Sequence, residues 1–580
     1  MFTGFKVDKY LRVERLQLFR LAKHFFDRFF ESELVSPNAE SRLAIAHILA
    51  VLTVPGCLVS FWMMEKYAYL SIRGIPIPEP ASMVDKSIFV ALSMAIMGFI
   101  CILEWDLLFP DRKDFLILGP LPISIRTLFT AKLLALLSFL FLFILAINSC
   151  STLLYALVVK FERGPLLLLF RNIGSHAAAV SGGSFFVFFL FGSLQGLLTT
   201  ILNHRAFQKV TRLAQFLLFF VLVVGAFQFP RICAMFKSLW GQNHLLLTFF
   251  PPVWYLGVYE VLLGKRDPQT VYFAEIGWWA VLLSMAVFAL FFLLGYHRQV
   301  KKCLESIEEE PRFAEGWRRL FGRFLDRFLL RGPAQQATFH FAVKTILRSQ
   351  RHRLMLSGYL GTGLALVVVE VIAIWVRSGY QGLFRVNAAL LSAPLALSFL
   401  SLVGLRYIFT VPAALEANWI FKMTEGQDNT GWLAGVRKMM WLTVLCPLFG
   451  AALPVYAWLW GWKTAALHLS FSLLLSLFLT QLLLLRFFKV PFTCSYLPAK
   501  ANLKSLWAVY LVAFVTYSYT MSELEFWLLQ RPVRMFVFYG LSLPIIWTLV
   551  SIRKNQEQLA GRLIYEEIPE PAVLTLDLCQ

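Results

Sequence analysis

FPDRKDFLILGPLPISIRTLF, residues 109–129, lies between two long apolar runs, near 87–105 and 131–159. A loop that only reverses the chain needs a few polar residues, yet this one gathers charges, three prolines and a row of bulky apolar side chains. Each flanking run is long enough to cross a bilayer core of roughly 30 Å as a helix. The charged stretch is therefore held at one face of a membrane, with anchors to offer there.

The rest of the chain repeats this alternation. Its 580 residues are 58% hydrophobic, 16% aromatic and only 15% charged, with mean hydropathy +0.67, more apolar than a soluble core can hide. The fold class is all-α, a polytopic membrane protein of about twelve transmembrane helices. The first six spans are predicted near 43–64, 87–105, 131–159, 177–202, 212–229 and 275–296. The second six are predicted near 354–376, 386–406, 436–460, 464–485, 503–522 and 533–551. With both termini placed inside, cytoplasmic segments hold 39 of the 54 lysines and arginines, as the positive-inside rule requires. The net charge of +20 is thereby assigned to membrane topology and headgroup lipids, with no nucleic-acid partner. No cleavable signal peptide is read, because the first apolar run begins at Leu43 behind a basic amphipathic stretch.

Catalytic patterns are missing. The eight cysteines are scattered, with Cys57, Cys101, Cys150 and Cys446 inside predicted spans; they read as small apolar residues and not as a disulfide framework or a metal site. The nine histidines form no HExxH pattern, so no catalytic metal is expected.

The chain is duplicated. LAKHFFDRFFESE at 21–33 and LFGRFLDRFLLRG at 320–332 share F-[FL]-D-R-F, at Phe25 to Phe29 and Phe324 to Phe328. Each is an amphipathic helix: Leu18, Leu21, Phe25 and Phe29 oppose Arg20, Lys23 and Asp27; Phe313, Trp317, Leu320, Phe324 and Phe328 oppose Arg319, Arg323 and Asp326. Such helices lie in the membrane interface. The resulting divisions are 1–42, a cytoplasmic and interfacial segment; 43–296, a first six-span half; 297–353, a linker with the second amphipathic helix; 354–551, a second six-span half; and 552–580, a cytoplasmic tail. An even number of spans in each half gives both the same topology, related by an axis along the membrane normal. The counterpart of the opening stretch is FTVPAALEANWIFKMTEGQDNTGWLAGVRK, residues 409–438.

An interfacial helix, two spans, a short charged helix and four more spans, together with the wording LFPDRKDFLILGPLPISIRTLFTAKLL, resemble the ABC-2 type (type V) ABC transporter permeases of bacteria, here as two fused six-span units. The resemblance implies that the segment between spans two and three is a coupling helix docking on an ATP-binding subunit. On this reading Asp111, Arg112 and Asp114 set register by charge. Phe115, Leu116 and Leu118 are apolar anchors, and Pro120, Leu121 and Pro122 stiffen the turn through fixed φ. In the second half the corresponding residues are Glu416, Trp419, Ile420, Phe421 and Lys422. The plainer alternative is an interfacial loop whose long side chains snorkel.

The chain has no G-x-x-x-x-G-K-[ST], so it is not read as an enzyme. It binds no cofactor of its own on this reading; ATP and magnesium belong to two partner ATP-binding subunits, one beneath each half. VSGGS at 180–184 is superficially similar to the ABC signature but sits in an apolar span, where small residues allow close helix packing. Glu370, well inside a span, is the candidate path-lining residue. Residues 230–274 are expected to form short re-entrant or interfacial helices rather than a further span. The functional expectation is an exporter in the cell membrane, the inner one of a bacterium, with cargo unspecified. Two rivals stand beside it. A twelve-span secondary transporter would need several midplane carboxylates. A polytopic enzyme would draw on Glu65, Glu79 and Asp85 of the first outer loop, although Glu79 sits in IPIPEP, which reads as an extended linker.

Overall fold

The computed structural model describes residues 16–29, 41–73, 79–105, 108, 118, 121, 123–159, 166–239, 245–305, 315–413, 418–424, 430–485, 487–493 and 507–560. Among these the regular structure is helical, and the chain forms two compact units, Met1–Glu308 and Glu309–Gln580.

In the first unit, α1 (residues 16–28) is followed by α2 (Ser41–Ile72), α3 (Glu79–Leu103), α4 (Ile125–Val159), α5 (Leu166–Ile201) and α6 (His204–Leu239). One turn at Leu245–Thr248, then α7 (Pro251–Leu262) and α8 (Pro268–Glu305), complete it. The stripe of α1 turns inward: Phe25 and Phe29 are buried, Phe29 stacks on Phe139 of α4 at 4.4 Å, and the Lys132 ammonium lies 5.0 Å and 5.4 Å from the two ring centres. A cation above two ring faces is held by their quadrupoles.

α2 runs against α4. A Cβ on Gly56 would meet the Ile147 carbonyl at 3.1 Å, and Thr53 donates to the Ala146 carbonyl at 3.0 Å. Cys57 and Cys150 face each other there as a disulfide, with Cα atoms 5.5 Å apart, which corrects the reading of both as plain apolar residues. Sequence spacing carried no sign of it, because the pairing depends on which faces of two distant helices meet. α5 is the axis of the unit, and the VSGGS segment performs the packing role expected of it. A Cβ on Gly183 would lie 2.8 Å from Met94 of α3, and one on Gly182 would lie 3.2 Å from Tyr255 of α7. Glu79 opens α3 instead of lying in an extended linker; proline is tolerated in a first turn, so Pro80 does not prevent it.

The second unit begins with α9 (Glu315–Phe328) and α10 (Pro333–Arg348), then α11 (Gln350–Ser378), α12 (Ala388–Ile408) and the short α13 (Asn418–Thr424). α14 (Thr430–Met440) passes through a π turn, Trp441–Leu445, into α15 (Cys446–Trp460), and α16 (Trp462–Leu483) returns. α17 (Trp507–Val515) passes through a second π turn, Thr516–Thr520, into α18 (Met521–Leu529), and α19 (Pro532–Ala560) closes the unit. Here the amphipathic helix behaves differently. Phe324 and Phe328 are 53% and 63% exposed while Leu325 is buried, so the aromatic stripe of α9 faces outward, as an interfacial helix requires; Phe313, Trp317 and Leu320 lie outside the described side chains.

Eleven of the described helices are long and apolar enough to span a bilayer. The stretch expected as the span 503–522 is helical where it is described, running without a break from α17 through the π turn into α18, Trp507 to Leu529, and is not among the eleven. Large apolar side chains such as Leu145, Val221, Trp279, Val376 and Trp547 cover the outside of these helices, an arrangement suited to lipid and not to water. The protein is a multi-pass membrane protein.

Candidate functional site

The sequence points to two kinds of site, a docking surface between the second and third spans of each half and polar groups within the spans. Of the first coupling segment, Asp111, Arg112, Asp114, Phe115, Leu116, Pro120 and Pro122 lie outside the described residues. Leu121 is exposed, and its N–H donates to the Leu118 carbonyl at 3.2 Å, a turn pinned to the unit through half-buried Leu118.

The second segment is better defined. Glu416 lies outside the described residues, and Phe421 and Lys422 fall within α13 without described side chains. Trp419 is 60% exposed, and Ile420 and Met423 are also exposed. Under this apolar face is a rigid bracket. Asn418 donates to the Thr493 carbonyl at 2.5 Å, Ala413 N–H to the Phe492 carbonyl and Phe492 N–H to the Phe409 carbonyl, both at 3.1 Å. Phe492 takes φ +68°, a left-handed conformation costly for a bulky residue. It is held by the Phe409 ring at 5.7 Å and His352 at 4.8 Å, while His352 Nε2 bonds the Val411 carbonyl at 3.0 Å. Elsewhere in the unit, Arg437 of α14 and Arg553 of α19 both donate to Glu557 at 2.6 Å, and Lys438 donates to the Leu329 carbonyl at 2.6 Å. α13 therefore projects from a fixed base.

Within the spans, each unit contains a buried polar cluster at the end where its third helix finishes and its fourth begins. In the first unit Tyr155 of α4 and His176 of α5 have rings 5.5 Å apart. His176 Nδ1 is 3.3 Å from the Tyr259 hydroxyl and Nε2 3.4 Å from the Ser151 hydroxyl. Glu260, fully buried on α7, accepts from Lys86 at 2.8 Å and has Lys265 at 3.4 Å. Asp85 accepts from Lys66 at 2.7 Å and from the Tyr67 hydroxyl at 2.8 Å. Burial drives the Tyr259 phenol far above its ordinary range, so it acts as a neutral hydrogen-bonding group.

In the second unit Tyr456 of α15 and His468 of α16 have rings 4.7 Å apart, and His468 Nδ1 is 2.7 Å from Glu525 of α18. Tyr456 itself donates to the Leu390 carbonyl at 2.7 Å. The two clusters share a sequence order. Glu260 is followed by Leu262, Leu263, Arg266 and Pro268, and Glu525 by Leu528, Leu529, Arg531 and Pro532, each proline opening the unit's last helix.

Glu370 is half-buried on α11, within electrostatic reach of Tyr519; it does not belong to the His468–Glu525 cluster. Asp85, considered for an enzyme, is committed to Lys66 and Tyr67, while Glu65 is exposed. Among the described residues no group of three or more histidines, cysteines or carboxylates is placed to hold a metal. No protein-family model, curated protein or solved structure matches the chain.

Proposed function

We propose that this multi-pass membrane protein is the permease of an ATP-driven transporter of the ABC-2 type, an exporter powered by separate ATP-binding subunits. The observation that carries this reading is α13. Its apolar face, Trp419, Ile420 and Met423, is exposed on a helix too short to span, over a base fixed by the Asn418 bond to the Thr493 carbonyl and by Phe492. Such an element is suited to receive a soluble partner and to pass a push into α14. The order of elements around it, with an amphipathic helix before the first span of each half, supports the same reading.

On this reading both termini and α13 are cytoplasmic, and the two Tyr–His–Glu clusters lie toward the outer side. The ATP-binding subunits supply nucleotide, magnesium and hydrolysis; this chain supplies the path and the coupling surface. The rival with a specific observation behind it is an ion-coupled carrier, favoured by the buried His468–Glu525 pair.

The two are separated by purifying the chain from its native cells in mild detergent. Recovery with a Walker-motif subunit, lost in Trp419→Asp and Ile420→Asp while the chain still folds, is the expected outcome. Recovery of the chain alone, with no ATPase in the preparation, would remove the ABC reading.

A further inference from the structure

The carboxylates of the two units are neutralised by different chemistry. In the first, Asp85 and Glu260 face lysines, whose charge persists through physiological pH. In the second, Glu525 has no lysine or arginine among the described residues; its one partner is His468, and both side chains are fully buried. Histidine carries a counter-charge only while it carries a proton.

The pair sits at one end of a longer polar seam. His468, Ser472, Ser476 and Thr480 recur at one-turn spacing on α16, all fully buried, over about 18 Å of helix rise. Ser398 of α12 joins this ladder through the Tyr517 hydroxyl, and Glu525 of α18 joins it through His468. The π turn carries Tyr517 into the seam, where its hydroxyl lies 3.3 Å from Ser398 Oγ and 3.1 Å from Ser476 Oγ. Three buried polar atoms of these residues have no hydrogen-bond partner among the described residues: His468 Nε2, Glu525 Oε2 and Ser472 Oγ. Unpartnered polar atoms in that number are where entering water would bond.

We propose that His468 and Glu525 form a proton-binding site, in which one proton shared between them keeps the seam closed and its release lets the seam hydrate and part. The inference rests on the membrane fold alone and not on the ATP-driven reading. The proton balance is simple. Closed, the pair holds one proton, as imidazolium with carboxylate or as two neutral groups, and its net charge is zero. Loss of that proton to water leaves an uncompensated carboxylate in a low-dielectric interior, at a cost that the pair escapes only by separating into water. Once open, the groups hold on average less than one proton above about pH 6.5, where free imidazole releases its own. The closed form then binds more protons than the open one, so rising pH favours opening, up to tenfold in the equilibrium per pH unit.

The other titratable groups near the pair do not replace this proton. Tyr456 on α15 is engaged with the Leu390 carbonyl, Tyr539 on α19 with Ser470, and Tyr517 with the two serines. Lys463 on α16 and Glu523 on α18 are exposed.

The test is thermal unfolding of the full-length chain in detergent as a function of pH, comparing it with Glu525→Gln, His468→Gln and the double variant. Glu525→Gln keeps a neutral hydrogen-bonding partner for His468 and removes the need for the proton. Relative to it, the unaltered chain should lose melting temperature progressively as pH rises above about 6.5. In His468→Gln the loss should begin at lower pH, because only the Glu525 carboxyl can then retain a proton. The double variant should parallel Glu525→Gln and serves as the fold control. A difference between the unaltered chain and the double variant that stays constant with pH would overturn the proposal, leaving the seam a dry packing device.

Discussion

Lys86 and Glu260 show what a buried charge demands. Lys86 is almost fully enclosed, its ammonium lies 2.8 Å from Glu260 and 5.2 Å from the Tyr259 ring centre, and Glu260 is fully buried. Replacing Lys86 by methionine keeps most of the stem's packing but strands much of the carboxylate's charge, leaving only the half-exposed Lys265 at 3.4 Å. The expected loss is about 3–5 kcal/mol of stability, read as a fall in melting temperature. The double variant with Glu260→Leu should recover most of it, since an apolar pair of similar volume needs no counter-charge. A double variant as unstable as the single one would mean that Glu260 has a structural partner beyond its lysines. None of this was legible at residue scale in the sequence. Lys86 and Glu260 are brought together only by the packing of α3 against α7, and local pattern does not encode such a distance. His468 was closer to legible, because its one-turn ladder with Ser472, Ser476 and Thr480 is printed within a single span.

Among elements, the two amphipathic helices share a motif and differ in use. Phe25 and Phe29 of α1 are buried against α4, whereas Phe324 and Phe328 of α9 stay on the surface. Phe25→Ala should therefore lower the stability of the chain in detergent by about 3–5 kcal/mol, and Phe324→Ala should change it little. The second substitution should instead weaken seating in a bilayer, since an exposed ring contributes only when lipid covers it. Equal losses of melting temperature in detergent for the two variants would show that α9 packs on protein after all. Periodicity gave both stripes correctly because it registers which face is apolar; it is silent on whether that face meets protein or lipid. The spans were legible for the same reason, as composition over one element, to within several residues at most ends. The π turn between α17 and α18 was not, since nothing in LVAFVTYSYTMSE departs from an apolar helix at the level of pattern.

For the whole molecule, the decisive unknown is which end faces which side, because the coupling reading requires α13 to meet a cytoplasmic partner. The proposed topology, drawn from basic-residue bias, has the termini and α13 inside. Two exposed positions in the second unit lie on opposite sides under that topology, Met423 on α13 and Tyr380 at the turn between α11 and α12. In intact cells a membrane-impermeant thiol reagent should modify Tyr380→Cys and spare Met423→Cys. Opening the membrane should expose the second, with modification assigned peptide by peptide so that the native cysteines do not confuse the result. Tyr380 and Met423 are separated by one apolar span, α12, so their labelling must be opposite if that helix crosses, whatever the orientation. Labelling of both from outside would mean that α12 does not span. Labelling of Met423→Cys alone would reverse the topology, carry Trp419 and Ile420 away from any ATP-binding subunit, and shift the weight to a carrier with His468 and Glu525 at its centre.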